Sequence, residues 1–181
     1  MPDHENDRDT GQSAAASRTV AQHVMLFVGS LAYLGFVPIA SGTVAVAVVG
    51  LPLYWLLIPY LQLSWPLYTA IVVVLTLVAI WVAGHTDRIL NEKDSSKNVI
   101  DEIPGFLIAL VALPATWQIV TAAFFLERAI DIAKIWPANW IERHLPRGWG
   151  VVLDDVVAGL YVLILLHLGT HLMPGWFGLH R

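Results

Sequence analysis

The chain has 181 residues, 57% of them hydrophobic and 13% charged, with a formal net charge of −4 and no cysteine. Soluble domains carry roughly 25% charged residues, so this composition belongs in lipid, and the length suits one domain of roughly five or six helical segments. Without cysteine, disulfides, thiolate metal sites and cysteine nucleophiles are excluded, and the acidic balance with no dense basic patch excludes nucleic acid as a partner.

Residues 1–22 are polar and acidic, with no basic start followed by an apolar core, and read as a disordered acidic tail, not a signal peptide. A membrane domain is expected over 23–175 and a short tail over 176–181. Apolar segments lie at about 24–40, 43–63, 66–83, 103–126 and 156–173. The first, VMLFVGSLAYLGFVPIA, is interrupted by Gly29, Gly35 and Pro38, so it reads as a short helix against its neighbours or as a re-entrant piece. Segments 43–63 and 66–83 approach the roughly twenty residues that a spanning helix needs. Segment 103–126 contains Pro114, which removes a backbone donor; a helical hairpin or a kinked span would each fit. The expected fold is therefore all-α, a multi-pass membrane helical bundle with a re-entrant or hairpin element.

Basic residues orient these pieces. Arg88, Lys93 and Lys97 lie in one polar loop, and Arg128, Lys134, Arg143 and Arg147 in a later stretch. Both belong in the cytoplasm by the positive-inside rule. With both loops on one side, the region between them must enter and return, which favours the hairpin at Pro114.

Five carboxylates then fall at this same membrane face. Asp101 and Glu102 open one apolar segment, Asp131 lies in the polar run after it, and Asp154 with Asp155 open the last. A single carboxylate at a helix start is stabilised by the unpaired N–H groups and the dipole, by about 0.3–1 kcal/mol. Five converging carboxylates repel one another unless cations intervene, so the pattern asks for a metal or for several bases. Hard oxygen donors without histidine or cysteine suit Mg²⁺. Gly105 follows Asp101 by four residues, and Ala158 and Gly159 follow Asp154 and Asp155 by four, which lets a neighbouring helix approach closely. Arg128, Asp131 and Lys134 recur at i, i+3 and i+6 and share one helix face. Alone they read as a surface ion-pair ladder; beside four other carboxylates they offer one more ligand and two cations able to grip a phosphate.

The stretches NVIDEIPGFLIALVALP, ERAIDIAKIWP and GWGVVLDDVVAGL resemble the three principal motifs of the phosphatidylglycerophosphatase A family, in the family's order. VPIASGTVAV resembles that family's P-G-T-x-G stretch, with Ser41 where proline is usual and Ala45-Val46 where Gly-Ser is expected, and Lys93-Asp94 resembles a recurring pair. The resemblance runs from roughly residue 29 to 160. It implies an Mg²⁺-dependent phosphatase, an all-α bundle, that converts phosphatidylglycerophosphate in the membrane to phosphatidylglycerol. Carried over by position, the acidic pattern falls on Asp101, Glu102, Asp131, Asp154 and Asp155, expected as metal ligands. The basic pattern falls on Arg128 and Lys134, and the N-terminal threonine on Thr43, all expected to bind substrate. Gly105, Trp136, Pro137, Ala158 and Gly159 match as packing and turn residues. Either Glu102 or Asp131 is expected to accept the proton of the attacking water. The expected location is a bacterial inner membrane, with the site facing the cytoplasm.

Phosphatase chemistry points the same way. No D-x-D-x-[TV] nucleophile motif and no P-S-G-H run occurs, which leaves metal-activated water. A CDP-alcohol phosphotransferase would need a D-G-x-x-A-R run, which is missing, and a small cation transporter would need ionisable groups near the bilayer midplane, whereas here they stay at one end. His85 ends a spanning segment near the acidic face, where it reads as a polar helix-end residue ahead of an acid for the leaving oxygen. His167 and His171 lie on the opposite side and are given no chemistry. Tryptophans at 65, 81, 117, 136, 140, 149 and 176 sit near segment ends, as aromatic belts do.

Overall fold

The computed structural model describes residues 19–91 and 95–179, and these form helices and turns with no strand among them. Most of the acidic tail, with Lys93, Asp94 and His180, lies outside the described residues.

Helix α1 (Val20–Gly29) begins inside the stretch read as tail, because Thr19 and Gln22 form a reciprocal capping box. Its ten residues rise only about 15 Å, too short for a span. The backbone N–H groups of Val99 and Ile100 donate to the Gly29 carbonyl at 3.0 and 3.1 Å, which ties α1 to the loop before the acidic segment. Segment 24–40 is thus a short helix followed by a 3₁₀ turn at Leu34–Phe36.

Among the described residues, three helices are long and apolar enough to cross a membrane: α2 (Ser41–Tyr60), α3 (Trp65–Leu90) and α7 (Arg147–Leu172). In α2 the wide π turns Val46–Gly50 and Leu56–Tyr60 accompany Pro52 and Pro59, whose missing N–H groups interrupt the regular ladder. The outward face of α3 carries exposed Val73, Val74, Leu77 and Val78; a contiguous apolar surface of this kind is a liability in water and ordinary in lipid.

Between the spans lie α4 (Glu102–Ile108) and α5 (Trp117–Ala133), joined by a turn through 109–116. This is the hairpin form of segment 103–126. Its tip reaches the far end of α7, where Thr116 Oγ1 donates to the Phe177 carbonyl at 2.8 Å. The short α6 (Ala138–His144) leads into α7. Helix α7 is the hub: α3, α4, α5 and α6 all pack on it. The core centres on Tyr54, Tyr68, Phe106, Leu107, Ile119 and Val162, and the Tyr68 hydroxyl donates to the Leu107 carbonyl at 2.8 Å, satisfying an acceptor at the end of α4.

Two expectations are corrected. Helix α7 begins at Arg147, not near 156, so Asp154 and Asp155 lie in its third turn and cannot be helix-start residues. Gly148 and Gly150, which look like loop residues in sequence, are buried inside the helix because neighbours press on them. A Cβ on Gly150 would stand 3.0 Å from the Glu142 carbonyl oxygen. Secondly, α5 ends at Ala133, and Lys134 takes a left-handed turn at φ 44°, so Lys134 does not continue the helix face of Arg128 and Asp131.

Candidate active site

The close approach of α4 and α7 builds the site. Gly105 of α4 lies against Gly159 of α7, and a Cβ on Gly105 would stand 2.8 Å from the Asp155 carbonyl oxygen and 3.0 Å from Glu127 Oε1. The small residues after the acidic pairs therefore do what their spacing suggested: they let backbone meet backbone beside the carboxylates.

Arg128 is the electrostatic centre. Its Nε and Nη2 donate to the two carboxylate oxygens of Glu127, both at 2.7 Å. Nη2 also ion-pairs with Glu102, and Nη1 lies 3.6 Å from Asp131 Oδ2. Glu127 is fully buried, and Asp101, Asp154, Asp155 and Arg128 are nearly so. Burial pushes the Glu127 carboxyl up to about 8, against the pull of Arg128 and helped by the charge of Glu102. Burial lowers the pKa of Arg128, but Glu102 and Glu127 outweigh it and hold the guanidinium above its ordinary value.

Lys134 serves a second group. Its ammonium reaches Glu142 Oε2 at 2.8 Å and Asp154 Oδ2 at 3.3 Å, while Asp154 Oδ1 accepts from the Asp155 N–H at 3.1 Å. The left-handed turn at Lys134 thus sends it to Asp154, away from Arg128.

Two cavities open onto these groups. The larger, about 450 Å³, is bounded by the 35–43 stretch, Ser96, Lys97, Glu102, Arg128 and Asp131, and Thr43 lines it. The smaller, about 200 Å³, brings together all five expected carboxylates, Asp101, Glu102, Asp131, Asp154 and Asp155, with Lys134. Glu102 and Asp131 line both. Gly42 has no side chain because Glu102 and Arg128 occupy the space: a Cβ there would stand 3.1 Å from Arg128 Nη1.

Among the described residues, Glu102, Glu127 and Asp155 each offer an oxygen within 4.8 Å of the others, a group able to hold a metal ion. Three hard, largely buried donors at that spacing fit a small oxygen-seeking divalent cation. Glu102 and Asp155 were expected in this role. Glu127 was not, although it stands one helical turn before Asp131 and beside Arg128. Asp101, Asp131 and Asp154 line the adjoining cavity, outside that trio. His85 lies at the cavity between α3 and the start of α7, not at this site.

A family model described as phosphatidylglycerophosphatase A matches residues 27–170. The chain belongs to the phosphatidylglycerophosphatase A family. It is 33% identical over 141 residues to the phosphatidylglycerophosphatase A of Escherichia coli K12, covering 77% of this chain and 80% of that one. The Haemophilus influenzae protein of the same name is 34% identical over 91 residues, half of this chain and 56% of its own. A Bacteroides thetaiotaomicron protein provisionally named as a phosphatidylinositol-3-phosphatase is 37% identical over 139 residues, 73% of this chain and 84% of that one. No solved structure matches the chain.

Proposed function

We propose that this protein hydrolyses the terminal phosphomonoester of phosphatidylglycerophosphate, releasing phosphatidylglycerol and inorganic phosphate, with Mg²⁺ as its cofactor. The observation that carries the reading is the largely buried trio Glu102, Glu127 and Asp155, the first two ion-paired with Arg128, beside a cavity roomy enough for a phosphorylated head group.

In this reading Glu102, Glu127 and Asp155 hold the Mg²⁺. The bound cation supplies positive charge opposite the phosphate and lowers the pKa of water. Arg128 offers Nη1 toward the larger cavity, where it binds the non-bridging phosphate oxygens, and Thr43 donates its hydroxyl to the same group. Lys97 adds positive charge to the cavity wall. Lys134 holds Asp154 in place instead of binding phosphate. Asp131, which lines both cavities, accepts the proton of the attacking water. The water oxygen forms the new bond to phosphorus as the bond to the glycerol oxygen breaks, and the proton taken by Asp131 passes to the departing oxygen to give the free hydroxyl of phosphatidylglycerol.

The site faces the cytoplasm in this account, because Arg88, Lys97, Arg143 and Arg147 gather at the same end of the bundle as the carboxylates. In a bacterium that membrane is the inner one. The names of the relatives differ in head group, so selectivity is the decisive assay. With Mg²⁺ in detergent, phosphate release from phosphatidylglycerophosphate should exceed that from phosphatidic acid and phosphatidylinositol 3-phosphate. Faster release from either of the others would reassign the substrate.

A further inference from the structure

A third cavity, about 400 Å³, shares no lining residue with the two acidic ones. It opens where the last turns of α3 meet the first turn of α7, at the close approach of Gly84 and Gly148, whose backbone nitrogen would stand 3.6 Å from a Cβ on Gly84. Arg88 and Arg147 face it from the two helices, and among the described residues no carboxylate lines it. Neither arginine makes an ion pair among the described residues. Two cations around one hollow, with no ion-pair partner among the described residues, suit an anion.

The setting identifies the kind of anion. Trp81 and Trp149 flank the cavity, 53% and 49% exposed, and tryptophans at span ends sit at head-group depth. The Trp81 ring rests 4.6 Å from that of His85, whose Nδ1–H donates to the Trp81 carbonyl at 2.7 Å, fixing this wall. Toward the bilayer interior the lining becomes apolar at Leu77 and Ile80. Cations above, indoles at the interface and aliphatic side chains below match the phosphate, glycerol and acyl chain of a lipid.

We propose that this cavity binds an anionic phospholipid, its phosphate held by Arg88 and Arg147. The lipid bound there braces the α3–α7 crossing. This cavity shares no lining residue with the acidic ones, and lipid binding here does not depend on the reaction assigned to them.

The test is thermal unfolding of the purified full chain in neutral detergent, titrated with dioleoyl-phosphatidylglycerol, dioleoyl-phosphatidylcholine or inorganic phosphate. The anionic lipid should raise the melting temperature saturably, and equally in Arg128→Gln, which separates this site from the acidic cavities. In Arg88→Gln/Arg147→Gln the half-saturating concentration should rise about 30-fold, the loss expected of two basic contacts, while phosphate release stays within about twofold of wild type. Single replacements should each give part of the loss and serve if the double variant does not fold. An unchanged titration in the double variant and in both single replacements at Arg88 and Arg147, or an equal response to phosphatidylcholine or to inorganic phosphate, would overturn the proposal.

Discussion

Arg128, on the returning arm of the α4–α5 hairpin, is ion-paired with Glu102, the first residue of the entering arm. A chain that comes back to its own starting point brings both ends of the hairpin to one face of the bundle. That single contact turns residues far apart in sequence into one site, and it makes Arg128 answerable for both geometry and charge.

Arg128→Lys keeps the charge but loses the planar fork that grips Glu127 through two hydrogen bonds and leaves Nη1 for phosphate. Turnover should fall by about 10²-fold, on the order of 3 kcal/mol of transition-state stabilisation. Steady-state kinetics on the membrane-inserted variant check this, and an unchanged kcat would make Arg128 a structural ion pair.

Glu127 gives a pH signature. Its carboxyl is raised from 4.5 to about 8, so the fold prefers it neutral. With the metal chelated, this group's contribution to stability is full below about pH 4.5 and lost as the pH rises through about 8. Metal binding needs the carboxylate, so Mg²⁺ should release a proton and bind more tightly as the pH climbs toward 8. Glu127→Gln, neutral throughout, should lessen the pH dependence of melting in EDTA and weaken Mg²⁺ activation. Melting curves and Mg²⁺ titrations across that window measure both.

Gly105→Ala places a methyl group 2.8 Å from the Asp155 carbonyl oxygen, a backbone atom with little room to yield. Overpacking of this kind costs about 1–3 kcal/mol, and here it also spreads the Glu127 and Asp155 donors. A lower melting temperature together with reduced Mg²⁺ affinity is expected; loss of stability without change in Mg²⁺ affinity would confine Gly105 to packing.

Topology is open to a direct check because the chain has no cysteine of its own. A cysteine at Gln62, in the turn between α2 and α3, should react with an impermeant thiol reagent on intact cells. One at Asn139, in α6 on the acidic side, should be protected. The reverse labelling pattern would invert the orientation.

The spans were legible in sequence because a bilayer demands a long apolar run and little else resembles one. The hairpin was legible from the basic loops on either side of it and from Pro114. The start of α7 was not, because Gly148 and Gly150 look like helix breakers until Gly84 and the Glu142 carbonyl are seen against them. Glu127 was hidden for a related reason: a glutamate beside an arginine in an amphipathic run looks like surface until Gly105 and Asp155 arrive against it from other helices. The shared face of Arg128, Asp131 and Lys134 does not survive, since nothing local announces the left-handed turn that ends α5 before Lys134.

The most direct test of a metal-dependent phosphatase is phosphate release from phosphatidylglycerophosphate against Mg²⁺ concentration, for wild type and Asp155→Asn in detergent. Asp155 lies in the third turn of α7, so a capping role cannot explain its loss. The account predicts saturable activation of the wild type, abolished by EDTA. It also predicts that Asp155→Asn remains folded but loses most activity, with partial recovery at high Mg²⁺. Full wild-type activity in EDTA, or a wild-type Mg²⁺ curve for Asp155→Asn, would contradict it.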